Sequence, residues 1–594
     1  MPSPVLSLSR KLLYAAILAG LFLVLLLGGL EAGLRLAGIG HSPHFFQHVT
    51  LPDGKAVWRD NRWCTAPYFS EALVRRPQPV RLAEKKAPDT CRIFVLGSSA
   101  AMGDPEASFS LARMLEAMLR AAYPQQHFEV VNAAITAINS NLVRGIAEDC
   151  APLEPDLFIV YEGNNEVIGP FGPAGVFAPF LRTEAGVRAA VALKATRTAQ
   201  LLSSLRRGAS APAEWGGMEM FLQQQIAGDD PRLDAVRKNF RANLLAIVAA
   251  GRRAGATTLA CTVLTNQRDF APFLSRHRPG LTAAELVEWQ GDCDTAAKQQ
   301  QAGNFAEAEA AYRAAYVIDD RYAESVFRFG RFALQVGRDA DARDLLQRAL
   351  DLDTLRFRTD SRLNRVIRDL AATNTPQLEV VDLATTLAER SGHGVVGDEL
   401  LYEHVHLTFR GTFEVASELF PRVVADLTKR GRVHTVAPVP FGVDEARVRL
   451  GYNTYEQTMI ALELLNRFRK PPFLGQIDHA IRLQAWEHRA AQGQRLLDGT
   501  GATPALQDIA QRALALAPDD WILARNTGAM LVSRHAPAEA LPLLERAARW
   551  IDDDVDTLIA LGRAHEALGH TAEAAAVLAR VRKLEPKHPD LPKS

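Results

Sequence analysis

The longest apolar stretch in the chain runs uncharged from Leu12 to Leu30, about 19 residues, between Arg10-Lys11 and Glu31 with Arg35. A run of that length spans a bilayer core of about 30 Å and exceeds the roughly 7 to 15 apolar residues of a signal-peptide core. It predicts a single-pass transmembrane signal anchor over 12–30. The basic flank keeps a tail at 1–11 in the cytoplasm and sends everything after about Gly38 to the outside, the periplasm in a Gram-negative cell. Beyond a proline-, aromatic- and charge-rich neck (31–88), short β-branched and aromatic runs alternate with stretches of helical period. They predict strands at Ile93–Leu96, Glu129–Asn132, Leu157–Tyr161, Thr258–Leu264 and Leu378–Leu383, with amphipathic helices such as Phe109–Ala122, Arg232–Ala254 and Arg362–Ala371 between them. Alternation of this kind belongs to an α/β domain, a parallel sheet with helices on both faces and ligands bound at the carboxyl ends of the strands.

A second period is longer. Gly303-Asn-Phe-Ala-Glu-Ala-Glu-Ala-Ala-Tyr312 and Gly337-Arg-Asp-Ala-Asp-Ala-Arg-Asp-Leu-Leu346 stand 34 residues apart, as do Ala308 and Ala342, and Ala315 and Ala349. The same spacing returns near the C-terminus, where Ala517-Pro518 and Glu585-Pro586 are two periods apart and Leu561-Gly562, Gly569 and Ala574 fill the last unit. This pattern resembles tetratricopeptide repeats, helix pairs that stack and present a groove to protein partners. The chain therefore divides into the α/β domain (89–430) with a repeat insert at about 290–355, a helical connector (431–476) and C-terminal repeats (477–594).

Charge narrows the picture. With 68 basic and 68 acidic residues the formal net charge is zero, so no nucleic-acid partner is expected. The five cysteines, Cys64, Cys91, Cys150, Cys261 and Cys293, form no Cys-x-x-Cys pair, and no Walker or Gly-x-Gly-x-x-Gly motif stands in a suitable context. No metal and no cofactor is expected.

Candidate chemistry gathers at the strand ends. Leu96-Gly-Ser-Ser-Ala100 puts a hydroxyl on a tight turn between a strand and a helix. Phe128-Glu-Val-Val-Asn-Ala-Ala-Ile-Thr136 ends in small residues. Asp156-Leu-Phe-Ile-Val-Tyr-Glu-Gly-Asn-Asn-Glu166 ends in a Gly-Asn-Asn-Glu turn, and Tyr402-Glu-His-Val-His-Leu-Thr-Phe-Arg-Gly411 sets a carboxylate three residues before a histidine. A serine hydroxyl needs a base to take its proton, and that base needs a carboxylate to fix its tautomer.

In this order the four blocks resemble the signature of the SGNH (GDSL-type) hydrolases, over about residues 88–430. The resemblance implies a three-layer α/β/α sheet and an esterase. Its nucleophile would be Ser99, its general base His406 and its orienting carboxylate Glu403, with oxyanion donors from the N–H groups of Ser99 and Ala134 and the amide of Asn165. Ser98 stands where the family has aspartate, Ala134 for a glycine and Glu403 for aspartate. Asn164, Glu166, Asn266 and Arg268, together with His277, are candidate substrate contacts, and the Gly-, Pro- and Phe-rich stretch Val167–Phe180 with the segment to about Gly228 is expected to wall the cleft. The expected activity is hydrolysis of an acyl or acetyl ester of an envelope glycan or lipid. Transfer to a second acceptor shares the acyl-enzyme step and stays open. The alternative is a membrane-anchored repeat scaffold with a non-catalytic domain.

Overall fold

The computed structural model describes residues 7–205, 215–434, 440–586, 588 and 590–591. The start of the tail expected in the cytoplasm, part of the segment expected to wall the cleft, a few connector residues and the last residues of the C-terminal repeats lie outside the described residues. Leu8–Leu36 is a continuous helix whose most apolar 18-residue stretch has a mean hydropathy of 2.5, long and apolar enough to cross a membrane by length and composition. The neck, in which the sequence analysis placed no strands, carries an antiparallel sheet of β1 (Phe46–Thr50), β2 (Ala56–Asp60) and β3 (Arg81–Ala83).

The central domain is built on five parallel strands, β4 (Thr90–Gly97), β5 (His127–Asn132), β6 (Leu157–Tyr161), β7 (Thr257–Cys261) and β8 (Leu378–Val381), in the order β5-β4-β6-β7-β8. All eight residues of β4 are buried, as expected for a strand covered on both faces. The helices Leu111–Ala122, Ser140–Cys150, Arg232–Arg253 and Phe409–Lys429 supply those layers. Strand order reverses at β4, with β5 on one side and β6 on the other, so the crevice beyond its carboxyl end is the switch point where ligands bind in open α/β sheets. Gly97 closes that strand. A Cβ there would stand 2.2 Å from the backbone oxygen of Tyr161, so only glycine allows β4 and β6 to stay paired up to the turn.

Two strands end earlier than the apolar runs suggest. β7 goes no further than Cys261 because, after Thr262 N–H donates to the Val381 carbonyl of β8 (3.0 Å), the following N–H groups leave the ladder, Val263 donating to Asn364 Oδ1 (2.9 Å) and Leu264 to the Tyr161 hydroxyl (3.0 Å). β8 stops at Val381 because Asp382 caps the helix Leu383–Arg390.

Between β7 and β8 the chain forms two helix pairs, Ala283–Ala302 with Phe305–Ile318 and Ala323–Gln335 with Asp339–Leu352. After the central domain and the connector helices Val443–Leu450 and Thr454–Phe468, six further helices run from His479 to Leu584. One contact recurs through both sets. Gly330 faces Leu346, Gly528 faces Leu544 and Gly562 faces Leu578, with no room for a Cβ at any of the three. Ala308, Ala342, Ala540 and Ala574 are all buried at the matching position of the second helix. Small residues at fixed places let each pair close, which is why the period of 34 is visible in the sequence. The C-terminal helices also pack against the rest: Asp520 pairs with Arg113 (2.5 Å), Arg525 donates to Ser108 Oγ (3.0 Å), and Arg62 of the neck donates to the Leu584 carbonyl (2.7 Å).

Candidate active site

Ser99 opens the short helix Ser99–Met102 directly after β4, so its N–H has no acceptor within the helix and its side chain stands at the carboxyl edge of the sheet. The loop from Leu400 to Thr408 returns to that edge. A bridge between Leu401 and Leu407 and the Tyr402 N–H donating to the His406 carbonyl (2.8 Å) pinch it into a tight turn. The Asn266 N–H, donating to the His404 carbonyl (3.0 Å), ties it to the segment after β7. The His404 ring is boxed in by Phe270, Phe273 and Phe357, with centroids 5.2 to 6.0 Å away.

This loop brings His406 Nε2 to 2.8 Å from Ser99 Oγ, although the two residues are 307 positions apart. Nδ1 of His406 bonds Glu403 Oε1, and Nδ1 of His404 lies against Glu403 Oε2. Glu403 is buried. Burial alone would raise its pKa, but His404 and His406 outweigh that and hold its carboxyl well below the usual carboxylate range. Burial lowers the pKa of His406, and Glu403 and Asp104 more than reverse it, so the imidazolium form is favoured. For His404 burial wins over Glu403 and its pKa falls. Glu403, His404 and His406 also bring three metal-competent donors together. His406 is engaged at both ring nitrogens, Nδ1 with the Glu403 carboxylate and Nε2 with the serine.

The remaining assigned residues divide. Asn165 donates from Nδ2 to the Ile138 carbonyl (2.9 Å), which fixes the amide; Ile138 O is its one acceptor among the described residues, so the second N–H is left over. Asn165→Ala is expected to lower ester turnover by about 10² to 10³-fold at little cost in KM, read by steady-state kinetics. The Ala134 N–H makes a long contact of 3.3 Å to Asn132 Oδ1, which an oxyanion would have to share.

The proposed substrate contacts are spent internally. Asn164 Oδ1 accepts from Ser98 Oγ (3.0 Å), so Ser98 braces the turn in place of the aspartate. Glu166 accepts from Ser140 N (2.8 Å) and Oγ (2.7 Å). Asn266 donates to Asp398 (2.7 Å), and His277 bonds Asp319 (2.7 Å). Arg268 pairs with Asp269 (2.8 Å) and Glu399 and lines a groove of about 1020 Å³ against the inserted helices Phe305–Ile318 and Ala323–Gln335. Local spacing marked these residues as polar and near strand ends, and each also bonds a neighbour within the chain.

Two residues absent from the motif reading join the site. Asp104 Oδ2 lies 3.4 Å from His406 Nε2, and Arg467, from the connector helix, clamps Asp104 through Nη1 and Nη2, the latter at 3.1 Å. Burial works against the Asp104 charge, yet Arg467 and then His406 keep its pKa below the ordinary value. Asp104 stands five residues after Ser99 and was legible as an acid in the turn. Arg467 had no signal, being 363 residues further on. Asp104 favours the charged form of His406, whereas the expected ester hydrolysis would need it neutral. Asp104→Asn is therefore expected to move the acid limb of kcat/KM to lower pH, with a smaller plateau loss than a triad substitution, checked by a pH–rate profile.

A family model for tetratricopeptide repeats matches residues 531–591. No curated protein matches the chain. Among solved structures, residues 1–338 of an assembly chaperone of RpL4 align at 15% identity over 48% of this chain and 99% of that chain, with a TM-score of 0.14, a likeness too slight to carry an argument. The tetratricopeptide match lies on the last two helix pairs, Pro537–Trp550 completing one and Val555–Ala567 with Thr571–Leu584 forming the other.

Proposed function

We propose that the protein is a membrane-anchored serine esterase of the SGNH type. It would act outside the cytoplasmic membrane on an acyl or acetyl ester of an envelope glycan or lipid, its repeats holding protein partners. The observation that carries this reading is the relay from Ser99 Oγ through His406 to the buried Glu403 at the switch point of the sheet. His406 takes the Ser99 proton as Oγ attacks the ester carbonyl, and Glu403 stabilises the imidazolium that forms. The Ser99 N–H and the Asn165 amide would hold the oxyanion, with Ala134 N–H joining if Asn132 releases it. His406 then protonates the leaving alcohol, and water or a second acceptor takes the acyl group from Ser99.

The test is fluorophosphonate labelling of the full chain in detergent, with Ser99→Ala as control and hydrolysis of a short-chain aryl ester alongside. Labelling and turnover that both vanish in the variant support the esterase. Neither appearing in folded wild-type protein would overturn it and favour the scaffold, whose repeats would then carry the function.

A further inference from the structure

The neck contributes a cation to the same edge of the sheet. Arg75 is rooted by its backbone, its N–H donating to Thr65 Oγ1 (2.9 Å) and its carbonyl accepting from that hydroxyl (2.9 Å). Its guanidinium lies 4.5 Å over the ring of Trp215, which stacks in turn on Phe177 at 5.6 Å. Nε and Nη2 both donate to Thr136 Oγ1, at 3.0 and 2.7 Å. Thr136 is two residues beyond Ala134, in the loop that leaves β5 beside the nucleophile turn, and Ser99, Asp104, Thr136, Arg75 and Trp215 are all partly exposed.

Among the described residues no carboxylate pairs with Arg75. Burial lowers its pKa, and the acid whose charge reaches it is Asp104, already clamped by Arg467 and turned to His406. A guanidinium that is fixed, half-desolvated, without a counter-ion and with Nη1 unspent is built to receive a planar or tetrahedral oxyanion. Trp215 and Phe177 come from the segment expected to wall the cleft, so the aromatic wall and the neck arginine form one surface.

We propose that Arg75 is a binding residue for an oxyanionic group, a carboxylate or a phosphate, borne by the ester that Ser99 attacks. This rests on the esterase reading above, and it gives the otherwise unassigned neck a part in substrate selection.

The experiment compares phenyl acetate with 4-acetoxybenzoate and 4-acetoxyphenyl phosphate as substrates of the full chain in detergent. Wild-type protein is expected to prefer an anionic ester, and the carboxylate and phosphate arms report which oxyanion fits. Arg75→Gln is expected to lower the ratio of anionic to neutral kcat/KM by about tenfold or more, mainly through KM, with Arg75→Lys recovering part of it. An unchanged ratio, or equal losses on all three esters, would overturn the proposal and leave Arg75 a structural prop. If Ser99 takes no fluorophosphonate and no ester turns over, the esterase reading fails separately. Calorimetric binding of benzoate and phenyl phosphate then decides the anion site: binding that Arg75→Gln abolishes sustains it, and no binding overturns it.

Discussion

Ser99→Ala and His406→Ala are each expected to lower ester turnover by roughly 10³-fold or more, with the double variant losing little beyond either single one. The reason is geometric. On the proposed reading the 2.8 Å contact between Ser99 Oγ and His406 Nε2 is one device for making an alkoxide, so removing either end removes the whole of it. Steady-state kinetics on a short-chain aryl ester reads the loss, and fluorophosphonate labelling separates its two halves. Ser99→Ala abolishes labelling outright, while His406→Ala slows it because the hydroxyl persists without its base. Wild-type rates in both variants would sink the assignment, whereas additive losses would mean that the two residues act apart.

Glu403→Gln follows closely, with an expected loss of about 10³ to 10⁴-fold. The side chain keeps its size, but an amide nitrogen facing His406 Nδ1 would make that atom an acceptor and place the proton on Nε2, where it blocks transfer from Ser99. The carboxylate also favours the His406 imidazolium, so its loss moves the residual acid limb to lower pH. A second consequence belongs to His404. Its buried ring rests on the other carboxylate oxygen of Glu403, so the variant also loosens the aromatic box around the loop. Glu403→Asp separates the two effects. It restores charge at shorter reach, and recovery of the pH profile without recovery of the rate would show that placement, more than charge, is what the glutamate supplies. Full activity in Glu403→Gln would remove the residue from the relay.

Much of this was legible from local pattern. β6 falls on the predicted residues Leu157–Tyr161, and β4 extends the predicted Ile93–Leu96 by a few residues at its N-terminal end and by Gly97, because a strand buried on both faces is a continuous apolar run and turn residues close it. The period of 34 was legible because helix pairs close only where small residues recur, as Gly330, Gly528 and Gly562 do against their leucines. The residues that meet as Ser99, His406 and Glu403 were legible as candidates because a proposed nucleophile, base and carboxylate need particular residue types at strand ends.

The roles of the polar loop residues were not legible in the same way. Asn164, Glu166, Asn266 and Arg268 look the same in sequence whether they face a substrate or a neighbour, and packing turned each to a neighbour. The neck strands were missed because their short runs are broken by charged and polar residues, while their pairing is supplied by one another across turns.

The sequence by itself determined the membrane-length helix, the strand and helix order, the repeats and the identities of the proposed relay, since each depends on residues close in the chain or on chemistry of one residue type. Only the tertiary structure decided that Asp104, Arg467 and Arg75 share the edge where Ser99 stands. Arg467 comes from a helix beyond the central domain and Arg75 from the neck, and electrostatic contacts between such distant segments arise from how whole elements dock, a quantity that no local pattern of residues encodes.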